Sequence, residues 1–362
     1  MTQPIDATFT SVSNTNSDKA SDMTVNERRG VKPKVLLVTT GGTITMLRGP
    51  RGELCPCEDA ARLIATIPEL KQLADIDVVS VANVDSSNLT PDFWLDLSKA
   101  IFQRINDYTG FVVAHGTDTL CYTASALSFL LQELNKPVII TGAQVPLEEI
   151  GSDGRSNLIN AVRVAISDLA EVAVVFGTLI IRGTRAKKMS VFDMQAFISV
   201  NDVPLGTIGL SIKFSDFARL RSRRKPLFRP FLNENVAMLP VYPGIKPEVV
   251  EYLAGSHDGI VIEGYGAGNI PTGDKSLIPA IAAAIARGVP VVVCTQCIVG
   301  STEMELYQVG RAALDAGAIP AMDMTPETTM VKLMWVLGQT RDIATIDSMM
   351  QKCFVGELHE VS

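Results

Sequence analysis

The sequence predicts an α/β fold of two domains, the larger one N-terminal and built on a parallel sheet. Three observations carry that expectation. Short apolar runs alternate with segments of helical spacing along most of the chain, the pattern of strand, crossover helix and strand. Several runs, such as Val35-Leu36-Leu37-Val38 and Phe111-Val112-Val113-Ala114, are apolar at every position, as strands covered on both faces are. The 362 residues are enough for roughly two domains of ordinary size.

Taken in order, residues 1–33 are polar and rich in Ser, Thr, Asn and Asp, without an apolar run of signal-peptide length, and read as a disordered tail. The strand at 35–38 empties into Thr39-Thr40-Gly41-Gly42-Thr43. Open α/β sheets place ligands at the carboxyl ends of their strands, and the two glycines let the main chain approach a ligand closely. Gly-Gly also serves a plain strand-to-helix turn. The spacing matches neither G-x-G-x-x-G nor the phosphate loop, so no nucleotide site is indicated. Met46 to Cys57 reads as a long mobile excursion of the kind that closes over sites, and Asp59 to Ile67 has helical spacing.

A strand at Asp77–Val81 runs into Asn83-Val84-Asp85-Ser86-Ser87-Asn88, and Thr90-Pro91 caps a helix reaching about Tyr108. The run at 111–114 ends in His115-Gly116-Thr117-Asp118-Thr119 before a helix from about Leu120 to Leu134. Pro137 to Ile140 ends in Thr141-Gly142-Ala143-Gln144, and a helix follows from about Asn157 to Leu169. Strands at 172–176 and 179–181 complete the first unit. Arg219 to Lys225, with Pro226 and Pro230, has the composition of a solvated basic hinge and lacks the interleaved aromatics of a nucleic-acid surface. A second α/β unit has strands near 236–241, 259–262 and 290–294 and helices near 276–287, 302–316 and 326–338. The expected division is a tail at 1–33, an N-terminal α/β domain at 34–216, a linker at 217–233 and a C-terminal α/β domain at 234–362.

Bulk composition excludes several classes of function. With 47% hydrophobic and 20% charged residues the chain has the makings of a well-buried globular fold. A net charge of −7 argues against nucleic acid or an anionic membrane as the principal partner. No segment has the roughly 18 uninterrupted apolar residues of a membrane span. Six cysteines in a chain this long do not make a disulfide scaffold and suit reduced, buried thiols, which points to the cytoplasm.

Of three histidines, His115, His257 and His359, only His115 lies in a polar strand-end cluster, where a hydrogen-bonded structural role competes with a catalytic one. Cys294-Thr295-Gln296-Cys297 is a lone C-x-x-C and Cys55-Pro56-Cys57 is too tightly spaced for a zinc loop, so no metal is expected. What remains is a site of threonines, serines, Asp118 and a lysine. A threonine hydroxyl must lose its proton to a neighbour to act as a nucleophile. A lysine near a carboxylate in low local dielectric could take it, relayed through a second hydroxyl. The segment Ile181-Arg182-Gly183-Thr184-Arg185-Ala186-Lys187-Lys188-Met189 supplies two, each of which composition alone reads equally as a surface charge.

Thr39-Thr40-Gly41-Gly42-Thr43-Ile44 and His115-Gly116-Thr117-Asp118-Thr119, about 70 residues apart at the ends of separate strands, together resemble the two signature motifs of the bacterial-type L-asparaginases. The resemblance continues through Val84-Asp85-Ser86-Ser87, Ser152-Asp153-Gly154, Arg185-Ala186-Lys187-Lys188, Tyr265-Gly266-Ala267-Gly268-Asn269 and Thr295-Gln296-Cys297, covering about residues 34 to 345, closest to the cytosolic type I-like branch. It implies a flavodoxin- or Rossmann-like N-terminal domain, a smaller C-terminal α/β domain, and hydrolysis of an amide side chain through a covalent acyl-threonine. By the same resemblance Thr43 is the nucleophile, and Thr117, Asp118 and Lys188 form the relay. Asp118 also binds the substrate's α-amino group, Ser86 and Ser87 grip its α-carboxylate and surroundings, and the carbonyl of Ala143 faces the scissile amide. Main-chain N–H groups, including that of Thr117, would hold the oxyanion. Lys188 is preferred to Lys187 by the family spacing Arg-x-x-Lys counted from Arg185.

The resemblance implies no cofactor, a homodimer or homotetramer, and L-asparagine or L-glutamine as substrate; one methylene is worth only about 1–3 kcal/mol in a pocket, so sequence does not choose between them. Two departures from the family pattern stand out. Gly52 is followed by Glu53 where many relatives carry a loop tyrosine, and Glu263 replaces the arginine of an effector site found in some cytosolic relatives. Two alternatives to a free-standing asparaginase follow. One is the ammonia-supplying component of the archaeal Glu-tRNA(Gln) amidotransferase, whose relatives carry an added N-terminal domain for which 33 polar residues are short. The other is a catalytically silent amino-acid sensor.

Overall fold

A computed structural model describes residues 32–48, 54–56 and 65–360. Residues 1–31 of the expected tail, most of the helix at 59–67, and Gly52, Glu53 and Cys57 lie outside the described residues.

The N-terminal sheet has eight strands. Its parallel part is β1 (Lys34–Thr39), β4 (Asp75–Ser80), β5 (Gly110–Ala114), β7 (Val138–Thr141) and β8 (Val172–Phe176). Between β1 and β4, β2 (Met46–Arg48) and β3 (Leu54–Pro56) pair antiparallel, so the stems of the expected excursion form a hairpin. Within the sheet the parallel strands stand in the order β8, β7, β5, β1, β4. Counted by sequence that is 2-1-3-4-5, the flavodoxin-like arrangement, whose direction of winding reverses between β1 and β5. The two loops singled out in the sequence leave the sheet at that reversal.

The strands are buried because their side chains alternate between two apolar layers. Val35 and Leu37 of β1, with Val112 and Ala114 of β5, face one layer; Leu36, Val38, Phe111 and Val113 face the other. A helix on each face covers them: α4 (Gly154–Ala165) on the first and α2 (Pro91–Phe102) on the second, α1 (Leu70–Leu73) being a single turn. The sheet is not wholly parallel. β9 (Leu179–Arg182) runs back against β8, and β12 (Gly206–Ile208) and β13 (Ile212–Phe214) extend that edge antiparallel. Apolar periodicity is the same for either strand direction, so the sequence pattern carries no sign of this reversal.

Three helices end sooner than their spacing suggests, α4 among them, which stops at Ala165 where the spacing runs to about Leu169. α2 stops at Phe102, after which Arg104, Ile105 and Asp107 make i to i−3 bonds. Thr90 occupies its N-cap and Pro91 its first turn as expected, but the threonine side chain makes no capping bond. α3 (Leu120–Leu130) stops because Leu131–Gln132, β6, pairs with β14 (Leu227–Phe228). The basic stretch is thereby tied to the N-terminal unit. The Arg221 main-chain N–H donates to the Asp168 carbonyl at 2.7 Å, and its guanidinium reaches the carbonyls of Ser167 (3.0 Å) and Thr109 (2.9 Å). It is a bonded strap and not a freely solvated hinge.

The C-terminal sheet is parallel, in the order β15 (Val236–Pro240), β16 (Gly259–Gly264), β17 (Val291–Thr295), β18 (Ile319–Pro320). Its helices are α5 (Pro247–Ser256), α6 (Ile278–Ala286), α7 (Gln308–Asp315), α8 (Pro326–Leu337) and α9 (Ile343–Gln351); α5, α9 and β18 were not expected from the sequence. One core spans both units, with Ala126, Phe129 and Leu130 of α3 packing among Val261, Val292, Leu333 and Trp335. Phe129 and Trp335 stack at 5.5 Å between ring centroids. Since α3 begins at the end of the His115–Thr119 loop, that loop is anchored to the second domain's core.

Candidate active site

Glycines bring the strand-end loops into main-chain contact. Gly41 and Gly42 adopt φ of 100° and 80°, the left-handed region that side chains disfavour. A Cβ on Gly42 would fall 2.5 Å from the Cα of Gly116, and one on Gly41 would fall 2.4 Å from the carbonyl oxygen of Val84. A Cβ on Gly116 would meet the Ser86 hydroxyl at 2.6 Å, and one on Gly142 the His115 carbonyl at 2.7 Å. The loops after β1, β4, β5 and β7 therefore interlock at distances only glycine permits. Thr43 and Thr117 each directly follow a residue of one such contact. Ile44, fully buried in the sheet core, pins the first loop and leaves Thr43 half-buried beside it.

Of the two candidate lysines, Lys188 faces this junction. β10 (Ala186–Lys188) pairs antiparallel with β11 (Phe197–Ser199), and the side chains of Lys187 and Lys188 leave the strand on opposite faces. Lys188 Nζ donates to Thr117 Oγ1 at 2.8 Å and to Asp118 Oδ1 at 2.7 Å, whereas Lys187 pairs with Glu327 at 2.6 Å. The Lys188 side chain is 19% exposed and that of Asp118 64%, so the ammonium is sheltered and the carboxylate is open to an incoming cation. Ser86 is buried under the same junction, and its carbonyl accepts from the Thr119 hydroxyl at 2.9 Å. Ser87 is exposed; its hydroxyl and main-chain N–H both donate to Asp85, at 2.6 and 2.8 Å, and that hydroxyl bond, with the N–H, holds the Asp85 carboxyl below the usual range. Ala143 is buried in the loop after β7.

Support groups that the sequence reading had not assigned to the site hold these loops. Asp153 accepts the N–H groups of Gln144 and Val145, each at 3.0 Å, and Asn157 donates to both Asp153 (3.0 Å) and the Gly142 carbonyl (2.9 Å). Gln144 bridges outward, accepting from Thr117 Oγ1 at 3.5 Å and donating to the Ser190 carbonyl at 3.3 Å. The four-residue spacing of Asp153 and Asn157, one turn of α4, was the available signal. Among the described residues no group of His, Cys, Asp and Glu is arranged to hold a metal. Cys121, Cys294, Cys297 and Cys353 are free; Cys121 and Cys294 are buried as expected, but Cys297 is exposed. Glu263, in the position compared with an effector-site arginine, is half-buried, and burial raises its carboxyl pKa.

His115 takes the structural role. It is fully buried, its Nδ1–H donates to the Gly116 carbonyl at 2.7 Å, and its Nε2 accepts from the Thr123 hydroxyl at 2.9 Å, which itself accepts from Trp94 Nε1 at 3.1 Å. A carbonyl can only accept, so the tautomer is fixed. Burial lowers the imidazole from 6.5 to about 4. The unfolded chain then binds one more proton than the folded one between those values, so stability is full above pH 6.5 and falls as pH drops toward 4, by about 3 kcal/mol in all. Urea midpoints measured from pH 7 to 4 should show that loss, and His115→Gln should flatten the slope in that window. An equal slope in the variant would assign the loss to other groups.

A flavodoxin-like sheet carrying a hydroxyl, carboxylate and ammonium cluster at its winding reversal, with a second α/β domain packed behind, defines the class, and the chain belongs to the asparaginase family. The family model for the asparaginase N-terminal domain matches residues 34–218, and that for the glutaminase/asparaginase C-terminal domain matches 235–350. Among its relatives, the L-asparaginase of Thermococcus kodakarensis is 38% identical over 328 residues, covering 90% of this chain and 99% of that one. A component of the glutamyl-tRNA(Gln) amidotransferase of Pyrococcus horikoshii is 40% identical over 339 residues, covering 90% and 77%. The solved structure of the thermostable L-asparaginase from Thermococcus kodakarensis superposes with a TM-score of 0.85 at 36% identity, covering 91% of this chain and 100% of that chain. L-asparaginase I from Vibrio cholerae superposes at 0.82 and 33% identity, with coverage of 91% and 100%. A probable cytoplasmic L-asparaginase from Campylobacter jejuni gives 0.77 at 28% identity, covering 89% and 100%. No helix among the described residues is long and apolar enough to cross a membrane.

Proposed function

We propose that this protein is a cytoplasmic, homo-oligomeric L-asparaginase that hydrolyses L-asparagine to L-aspartate and ammonia through an acyl-threonine ester. The observation that carries the reading is the Lys188 ammonium, 2.8 Å from the Thr117 hydroxyl and 2.7 Å from Asp118, at a loop interlocked with that of Thr43. In the proposed reaction Thr43 Oγ attacks the side-chain amide carbon while its proton passes by way of the Thr117 hydroxyl to Lys188. The main-chain N–H of Thr117 is among the donors to the oxyanion. The C–N bond then breaks as the departing nitrogen takes that proton back from Lys188 and leaves as ammonia, and water attacks the resulting ester to free aspartate and the Thr43 hydroxyl. The base in this scheme is the Lys188 amine, which takes the proton of Thr117 as Thr117 takes that of Thr43, and Asp118 stabilises the ammonium that results. Asp118 also meets the substrate's α-amino group, Ser86 and Ser87 its α-carboxylate and surroundings, and the Ala143 carbonyl the scissile amide. These steps use no metal or organic cofactor.

A second reading, an ammonia-supplying component of a tRNA-dependent amidotransferase, draws support from the Pyrococcus relatives that belong to such an enzyme. Ammonia release from L-asparagine and L-glutamine, assayed side by side with purified protein, separates the two. The asparaginase reading expects asparagine turnover by the protein alone. Turnover restricted to glutamine and dependent on a partner and tRNA would replace it with the second.

A further inference from the structure

We infer that Glu327, in the C-terminal domain, is a positioning residue for the proposed reaction: through Lys187 it sets the face of β10 from which Lys188 reaches Thr117. The inference rests on the catalytic role proposed for Lys188.

β10 is three residues long, and β11 is its paired strand; neither belongs to the eight-stranded sheet. An isolated two-stranded ribbon is marginal by itself. A one-residue slip or a roll of the ribbon would exchange the faces of its residues. The two lysines are alike, so neither marks a face by its own chemistry. Ala186 and Phe197, buried in the apolar core, mark the face that Lys188 shares, and a group outside the ribbon holds the lysine on the other.

The segment 323–328 at the start of α8 supplies that hold through three contacts. The Thr328 hydroxyl donates to the Thr184 carbonyl at 2.7 Å, Arg185 donates to the Asp323 carboxylate at 2.9 Å, and Lys187 donates to Glu327 Oε1 at 2.6 Å. The first two fix the register just ahead of β10. The third captures one lysine and leaves the other to the opposite face, toward Thr117 and Asp118. Thr328 also meets Ser125 of α3 at 2.9 Å, so the clamp and the Thr117 loop share one buried support. Glu327 lies in the first turn of α8, where the helix dipole favours a carboxylate. Its second oxygen, Oε2, is buried without a hydrogen-bond partner among the described residues. A half-satisfied buried carboxylate is uncommon, and its retention here fits a group whose place is dictated by the cation it holds.

The test uses the full chain and the variants Glu327→Gln, Lys187→Met, their double, and Lys187→Arg. Two readouts are taken: hydrogen exchange of the amides at 186–189, and steady-state ammonia release from L-asparagine. Misplacing a proton-transfer group by about an ångström costs up to roughly a hundredfold, so each neutralising variant should lower kcat at least about tenfold, with KM within about twofold. Both should also speed exchange in β10 while β1 and β5 stay unchanged. The double variant should be no worse than either single one, since both break the same link. Lys187→Arg, which can still pair with Glu327, should behave like the unmodified protein. Unchanged β10 exchange in Glu327→Gln, unchanged kcat in an active enzyme, or multiplicative losses in the double variant would overturn the inference. Faster β10 exchange in a protein that releases no ammonia even unmodified would uphold the clamp and overturn the catalytic reading of Lys188.

Discussion

Thr43→Ala should lower the turnover of L-asparagine by at least about a thousandfold while leaving the fold and amino-acid binding in place. Loss of a covalent nucleophile removes the acyl-enzyme route altogether, and what survives comes only from groups that hold and polarise the substrate. Neither Thr117 nor Thr45 is free to substitute. Thr117 is engaged by Lys188 at 2.8 Å, and Thr45 donates back to the Gly42 carbonyl at 3.0 Å. Stability should change by less than about 1 kcal/mol, because Thr43 is half-buried and its loop is held by Ile44 and the two glycines. Aspartate affinity, measured by calorimetry, should stay within a few-fold, since the groups proposed to bind the α-amino and α-carboxylate are elsewhere. Turnover in the alanine variant near that of the unmodified enzyme would end the assignment of Thr43. Aspartate or asparagine binding without any turnover in the unmodified protein would favour a sensor.

Lys332→Met should destabilise the protein by about 3–5 kcal/mol, the largest effect expected away from the reaction itself. Lys332 is fully buried in α8 and donates to Glu357 at 2.7 Å and to the carbonyls of Met350 (2.9 Å) and Lys352 (2.6 Å). Burial, partly offset by Glu357, lowers its pKa. Glu357, equally buried, accepts the N–H groups of Phe354 (3.1 Å) and Val355 (2.8 Å). Removing the lysine leaves an unpaired carboxylate and two orphaned carbonyls in the core. Changing Glu357 to Leu at the same time should recover part of the loss, because the penalty comes chiefly from the stranded charge. Urea unfolding of the single and double variants measures both; a single-variant cost below about 1 kcal/mol would mean that the pair contributes little. The effect should also reach the site. The segment that Glu357 organises supplies the Gly356 carbonyl to Arg185 at 3.0 Å and the His359 N–H to Asp323 at 3.0 Å. Burial works to raise the Asp323 carboxyl, but Arg185 and His359 outweigh it and hold it below its ordinary range. Asymmetric damage follows: loosening this segment should weaken the hold on Arg185, two residues ahead of Lys187.

Much of this was written in contiguous stretches of sequence, and those were the legible parts. A run such as Val35-Leu36-Leu37-Val38 has too many apolar side chains for one face, so a strand buried on both sides follows from the sequence itself. The glycines and hydroxyls at its end are adjacent in the chain, and their chemistry could be read before their partners were known. Tertiary structure decided whatever depended on residues far apart. α3 ends at Leu130 because β14, far along the chain, captures Leu131 and Gln132. The antiparallel edge from β9 to β13 reverses direction without changing the apolar pattern. The choice between Lys187 and Lys188 rests, inside the fold, on a carboxylate 140 positions away. Local sequence fixes which backbone shapes and which reactive groups are on offer, since both are properties of neighbouring residues. Which lysine faces the hydroxyls is settled only when the core takes in Ala186 and Phe197 on one face of the ribbon and the second domain closes on the other.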